Sequence, residues 1–226
     1  MNQQQRRAWL KAIAASGILG PAGWSGWMSN ALAAGTLGNV KGVNKLEGTA
    51  TVNGRAAKVG TSVKPGDRVI TGKASQAVIV IADDAFLMRG ETEIEFKGKG
   101  DLLSDMIIAT GKVLSVFSKK PMAIKAASAS IGIRGTGGYI EVDPRRVYFC
   151  LCYGEAVVDG PGMQSKVIQT KHHESPVFIS ESGGIMKVDP GPFLNHSDDE
   201  LVLLEGLVGR EPPFLREGMP AYKQPS

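Results

Sequence analysis

Short blocks of apolar residues fill the middle of the chain, and Gly, Asp, Asn and Pro separate them. This spacing is typical of many short strands. Residues 92–96 alternate cleanly, with Ile94 and Phe96 on one face and two glutamates on the other. Asn53 and Gly54 tolerate positive φ angles and predict a tight hairpin turn. The pattern therefore predicts an all-β fold, and it leaves a sandwich, a barrel and a β-solenoid open.

One helix is predicted near the C-terminus. The sequence Ser-Asp-Asp-Glu at residues 197–200 forms a capping box, and apolar residues then recur at helical spacing until Gly209. A short helix over about residues 198–208 is expected, within a C-terminal extension of residues 181–226. The three acids could also bind a cation, but acids in a first turn meet the helix dipole favourably, and the cap is the preferred interpretation.

The N-terminus has the three parts of an export signal. A charged start is followed by an apolar stretch over residues 12–19, and Ala31 and Ala33 supply the small residues of a cleavage site. The apolar stretch is shorter than the roughly 20 residues of a membrane-spanning helix, so no stable span is expected after cleavage. The charged start resembles the twin-arginine (Tat) motif, carried by Arg6, Arg7, Trp9, Leu10 and Lys11. Residues 1–33 are therefore predicted to be a Tat signal peptide that directs the chain to the periplasm.

The charge of the chain argues against a nucleic-acid partner. The whole sequence has 26 basic and 22 acidic residues. Three of the basic residues and none of the acids lie in residues 1–33, which leaves 23 basic residues against 22 acids in the remainder. No cluster of Lys and Arg with interleaved aromatics follows, so the remainder lacks the electrostatic footprint that phosphate binding needs.

An ordered set of motif residues lies in the body of the chain: Gly66, Asp67, Thr71 and Gly72, followed by Arg134, Gly135 and Thr136. Their order resembles the FecR domain of bacterial iron-signalling systems, over about residues 46–160. This resemblance implies a twisted, β-solenoid-like domain in the periplasm that takes part in signalling or binds a partner. A linker is expected over residues 34–44 and the FecR-like domain over residues 45–180.

The resemblance does not carry over the complete regulator role of the iron-dicitrate system. There a cytoplasmic anti-sigma segment and a membrane helix precede the domain, and the sequence predicts neither here. A stand-alone module that binds a protein partner or another ligand in the cell envelope is the expected function, by analogy of fold.

No enzymatic motif is found. The chain has neither a Gly-x-Ser-x-Gly elbow nor a His-Glu-x-x-His string, and a non-enzymatic protein is predicted. The glycines of residues 134–138 fit a bend between strands better than a phosphate cradle, because no Lys-Ser/Thr pair follows them. Residues 172–175, His-His-Glu-Ser, are interpreted as a polar turn.

All cysteines and histidines of the chain fall within residues 150–196. In a strand, Cys150 and Cys152 point to the same face, about 6.6 Å apart along the chain. Three interpretations are open: cysteines buried in the core, which is preferred, a redox or disulfide pair, and a metal site for copper or zinc. No cofactor is assigned, because the spacing is not that of a standard zinc site. The candidate ligands are Cys150, Cys152, His172, His173 and His196.

Overall fold

The computed structural model describes residues 41–220 and residue 222. The predicted signal peptide, including its Tat motif and cleavage site, and residues 34–40 of the predicted linker lie outside the described residues. The described chain contains 15 strands and two short helices, which shows the predicted all-β class. The strands are β1 (Gly42–Glu47), β2 (Ala50–Val52), β3 (Arg55–Ala56), β4 (Arg68–Thr71), β5 (Gln76–Ile81), β6 (Asp84–Met88), β7 (Glu93–Lys99), β8 (Leu102–Val116), β9 (Pro121–Ala126), β10 (Ala129–Arg134), β11 (Gly137–Val142), β12 (Val147–Asp159), β13 (Lys166–Thr170), β14 (Val177–Ser182) and β15 (Ile185–Pro190). The helices are α1 (Asp198–Leu207) and α2 (Pro213–Arg216).

The strands form two sheets that share long strands. One sheet contains β1, β5, β6, β11, β14 and β15, and the other contains β2, β3, β4, β7, β9, β10 and β13. β8 and β12 run through both sheets. Every described pairing is antiparallel except that of β8 with β9. This pairing does not show the coils of a solenoid.

Glycines mark the points where the two long strands pass from one sheet to the other. Gly111 of β8 has φ +96° and Gly154 of β12 has φ +100°, a region that L side chains rarely adopt. A Cβ atom on Gly111 would lie 2.4 Å from the Cα atom of Thr92, and one on Gly154 would lie 2.7 Å from a methyl group of Thr136. Both bends therefore need glycine, and they let the sheets enclose one core.

Two predicted local features are confirmed. The hairpin between β2 and β3 turns through Asn53 and Gly54, both with positive φ. Helix α1 begins with the predicted capping box: Ser197 accepts a hydrogen bond from the Glu200 backbone N–H, and the Glu200 carboxylate accepts one from the Ser197 N–H. The helix ends at Leu207, one residue before the predicted end.

The strands extend beyond the predicted limits of the β domain at both ends. β1 begins at Gly42, within residues 34–44 that were predicted as a linker, and β15 lies wholly within the predicted C-terminal extension. β1 was missed because its sequence, GVNKLE, lacks the clean alternation that marks other strands. Pairing with β5 and β14, respectively, holds these two strands in the sheet.

The main core lies between the sheets and includes alternate residues of most strands, such as Phe86 and Met88 of β6. The intervening residues, such as Leu87, are also buried but lie outside this cluster. Helix α1 packs against β6 and β8. It therefore covers the outer face of the first sheet, which would otherwise expose apolar side chains. Neither helix of the described chain has the length and hydropathy that a membrane span requires.

Candidate metal centre

The two cysteines lie on the outer face of β12. Cys150 and Cys152 are fully buried, at 0% exposure, and both thiols are free. Their neighbours Phe149 and Leu151 belong to the main core, so alternation along the strand turns the cysteines the other way. The predicted burial is confirmed, but the cysteines face the C-terminal part of the chain and not the core between the sheets.

His173 reaches the cysteines from the bend that follows β13. Its backbone has φ +57°, and its N–H donates to the carbonyl of Cys152 at 3.0 Å. This bond holds the bend against β12. The predicted turn at residues 172–175 is present, but its two histidines are 7% and 1% exposed. The turn is therefore buried rather than exposed, because the C-terminal residues cover it.

His196 reaches the cluster from the stretch between β15 and α1, and it is 3% exposed. Its ring stacks on Tyr139 of β11, with ring centroids 4.5 Å apart. Three separate parts of the chain thus converge on one point: strand β12, the bend after β13, and the residue before the N-cap of α1.

Three of the six distances among the ligand atoms of this Cys2His2 cluster fit a tetrahedral site. The Cys150 sulfur lies 3.5 Å from Nδ1 of His173, and the Cys152 sulfur lies 3.5 Å from Nε2 of His196. The two nitrogens are 3.3 Å apart, and all four atoms lie within 4.8 Å of one another. With Zn–S bonds of about 2.3 Å and Zn–N bonds of about 2.05 Å, a tetrahedron has S–N edges of about 3.5 Å and an N–N edge of about 3.3 Å. The three distances given above match the corresponding edges of such a tetrahedron.

Each imidazole of the cluster has an acceptor on its far nitrogen. Nε2 of His173 lies 3.0 Å from a carboxylate oxygen of Asp198, and Nδ1 of His196 lies 2.6 Å from the carbonyl oxygen of Leu194. Both acceptors lack protons, so each far nitrogen donates. In the neutral imidazole, the near nitrogen then has the lone pair, which points into the cluster. A carboxylate or a backbone carbonyl behind the ring is the usual second shell of a metal-binding histidine.

The pKa values of the cluster describe how it holds charge without a cation. The pKa of the Cys150 thiol is lowered to about 3. The hydrogen bond from Cys152 is the largest cause, and those from His173 and His196 add to it, so that together they outweigh the effect of burial. Burial and the neighbouring Cys150 raise the pKa of the Cys152 thiol. Burial alone would lower the pKa of His173, but hydrogen bonds with Asp198 and Cys150 raise it. Protons thus balance negative sulfur here, and a divalent cation would replace them.

His172 lies beside the cluster and is not one of its four members. Its Nε2 atom donates to both oxygens of Asp198, at 2.9 and 3.0 Å, and its ring stacks on Phe214. Burial would raise the pKa of Asp198, but hydrogen bonds with His173 and His172 lower it. His172, His173 and Asp198 also form a three-membered group with metal-ligating atoms. Its spacings are those of ordinary hydrogen bonds, which already satisfy the donors.

Asp198 is the residue of the site that the sequence analysis missed. The capping box identified it only as a helix-start acid, and that role is confirmed. Its contact with His172 and His173 joins residues 25 and 26 positions apart. No local pattern indicates such a contact.

The seven residues of the FecR-like motif are not ligands of this cluster. They stabilise turns and bends of the backbone. The Asp67 carboxylate accepts from the side chain of Asn53 and the N–H of Lys64, next to Gly66 in the turn before β4. The Thr71 hydroxyl donates to the Arg89 carbonyl, and Gly72 lets the Thr49 side chain approach closely. The remaining motif residues form the predicted bend between β10 and β11: Arg134, Gly135 and Thr136.

Comparisons with known proteins find similarity only to solved structures. No family model and no curated protein matches the chain. Two crystal structures, at 1.65 and 2.50 Å resolution, of a "putative anti-sigma factor" from Parabacteroides distasonis ATCC 8503 are similar over 54% of this chain, each with a TM-score of 0.46. Their sequences are 9% and 10% identical to it, and the match spans 59% of the length of those chains. A likeness of this extent says nothing about binding or activity.

Proposed function

We propose that this protein is a zinc-binding β module, in which Cys150, Cys152, His173 and His196 hold one Zn²⁺ ion. The observation that carries the proposal is the convergence of two sulfurs and two nitrogens in a buried site, where three of their six distances are those of a tetrahedron. The outward hydrogen bonds of both imidazoles support it, because they leave the inner nitrogens free to bind a cation. The metal interpretation thus replaces core packing as the preferred account of these cysteines.

Charge favours zinc over Cu⁺, and geometry favours it over Cu²⁺, which prefers square-planar sites. Two thiolates and one Zn²⁺ ion sum to zero, whereas Cu⁺ would leave a net negative charge in a buried site beside the carboxylate of Asp198. An unbalanced buried charge is costly. A tetrahedral S2N2 donor set is also typical of zinc.

A closed site indicates a structural role for the ion. All four tetrahedral positions are taken by protein ligands, and no position is left for water or substrate, as a catalytic zinc requires. The ion would instead join three separate parts of the chain. This role agrees with the expectation that the protein is not an enzyme.

The setting proposed for this module is the periplasm. The Tat-like motif at Arg6 and Arg7 and the FecR-like motif order support export and a role in binding a protein partner in the envelope. N-terminal sequencing of chain recovered from the periplasm tests export, with Ala34 expected as the first residue. Such a chain would lack tryptophan, because all three tryptophans lie in residues 1–33. Recovery of chain that still begins at Met1 would count against the setting.

Metal analysis of the full chain purified without added metal tests the zinc site. One zinc per chain is expected, and a Cys150→Ser, Cys152→Ser double variant should contain none. A second ion per chain that is lost in a His172→Asn variant would point to binding by His172, His173 and Asp198. A metal-free protein that takes up no zinc and keeps both thiols free would refute the proposal in favour of core packing. A disulfide between the cysteines would refute it in favour of the redox interpretation.

A further inference from the structure

The proposed zinc site joins two parts of the chain that are otherwise distinct. The C-terminal segment, defined here as residues 191–216, follows β15 and contains both helices. It supplies His196, whereas the other three ligands come from β12 and the bend after β13. A bound ion would therefore fasten this segment to the sheet.

The start of helix α1 is built around the same site. His196 is a ligand, Ser197 is the N-cap, and Asp198 is the first helical residue and accepts from His173. Glu200 completes the capping box and pairs with Arg89, whose guanidinium also donates to the Asn195 carbonyl. The orientation of His173 and His196 about an ion thus sets the position of the first turn of the helix.

The C-terminal segment covers an apolar face. Ala85 and Leu87 of β6 and Leu114 and Val116 of β8 are buried, at 0% exposure, although they lie outside the main core. Helix α1 packs against these two strands. Undocking of the segment would expose these side chains to water.

The remaining polar contacts make docking all-or-none. The Tyr153 hydroxyl donates to Glu205, and Arg210 pairs with the same carboxylate. Glu200 and Glu205 are both buried. These charges are satisfied together when the helix is docked, so a partly docked helix would leave buried groups without partners.

From these contacts we propose that zinc occupancy controls the docking of the C-terminal segment, and thereby whether the outer face of the first sheet is covered. The inference rests on the proposed zinc site. With zinc bound, His173 and His196 share one ion and Asp198 holds the helix start. Without zinc, the two imidazoles lose their common partner, and the segment opens from the sheet more often while the core between the sheets stays folded.

Hydrogen exchange measured by mass spectrometry on the full chain tests the coupling, with zinc-loaded and chelator-stripped protein compared. With free zinc at 1,000 times its Kd, linkage allows the opening of the segment to change by up to roughly 1,000-fold. Faster exchange is expected in the amides of α1 after stripping, with little change in β5 and β10. Unchanged exchange in α1, or equal acceleration in the core strands, would overturn the proposal.

A pair of neighbouring acids provides a matched test. Asp198→Asn should weaken zinc binding by roughly 10- to 100-fold, as expected for loss of a second-shell carboxylate. It should also raise exchange in α1 at subsaturating zinc. Asp199→Asn is the control, because Asp199 is exposed and has the same charge in the same helical turn. Equal zinc affinities in the two variants would refute the role of Asp198.

The two proposals fail differently. If the unaltered chain binds no zinc, the zinc site itself is wrong. If it binds one zinc and the exchange of α1 does not depend on the ion, only the coupling is wrong.

Discussion

His172 and His173 are adjacent in sequence, yet the structure assigns them different roles, which a pair of substitutions can separate. Nδ1 of His173 faces the sulfur of Cys150, whereas Nε2 of His172 contacts only Asp198 among the groups of the site. His173→Asn removes one of four ligands. His172→Asn removes a hydrogen bond behind the site and a ring stacked on Phe214.

The expected losses of zinc affinity differ by at least about sixfold. The binding free energy of a structural zinc ion is about 10–16 kcal/mol, and dividing it evenly among four ligands gives about 2.5–4 kcal/mol for each. His173→Asn should therefore weaken zinc binding roughly 60- to 700-fold, at about 1.4 kcal/mol per tenfold. His172→Asn should weaken it less than roughly tenfold, since Asp198 keeps its bond to His173.

Competition with a chromophoric chelator gives both zinc affinities on one scale. Cobalt provides a second readout, because tetrahedral Co²⁺ with thiolate ligands has intense visible bands. The wild type and the His172→Asn variant should show these bands, and the His173→Asn variant should show weaker or shifted ones. If the two variants bind zinc equally well, or if the His172 change is the more damaging, the assignment of His173 as the ligand is wrong.

Three further predictions concern stability. Zinc at 1,000 times its Kd should stabilise the wild type by about 4.1 kcal/mol and raise its Tm by roughly 8–16 °C, whereas the Cys150→Ser, Cys152→Ser variant should show no zinc-dependent shift by differential scanning fluorimetry. Glu200→Ala should lower the free energy of unfolding in urea by about 3–5 kcal/mol, because it breaks a buried ion pair with Arg89. A loss below about 1 kcal/mol would contradict the importance of this pair. Gly154→Ala should lower the free energy of unfolding by more than about 1 kcal/mol in the same assay. Gly183→Ala is the control: Gly183 also has a positive φ, but no atom lies within 4 Å of the added methyl group, so its loss should be smaller.

Much of the fold follows from local patterns in the sequence. The hairpin at Asn53 and Gly54 and the capping box of α1 depend on residues within four positions of one another, and both predictions are confirmed. The all-β class is likewise shown. The FecR-like resemblance and the export signal stay predictions.

The candidate site could be predicted only in part. Alternation in a strand places Cys150 and Cys152 on one face, and the sequence shows that all histidines lie within the same 47 residues. Composition suggested a polar turn for His172 and His173, because a sequence pattern does not show what covers a bend. The covering residues come from the C-terminal segment: Phe193 lies 20 positions from His173, and Phe214 lies 42 positions from His172.

By itself, the sequence determined the strand-forming blocks, the start of α1 and the shared face of the two cysteines, since each depends on neighbours in the chain. Only the tertiary structure decided that His173 and His196, but not His172, meet those cysteines, and that Asp198 lies behind them. Backbone hydrogen bonding of the bend to Cys152 and packing of α1 on the sheet set these contacts. They join residues 21 to 46 positions apart, and no local preference of the chain specifies them.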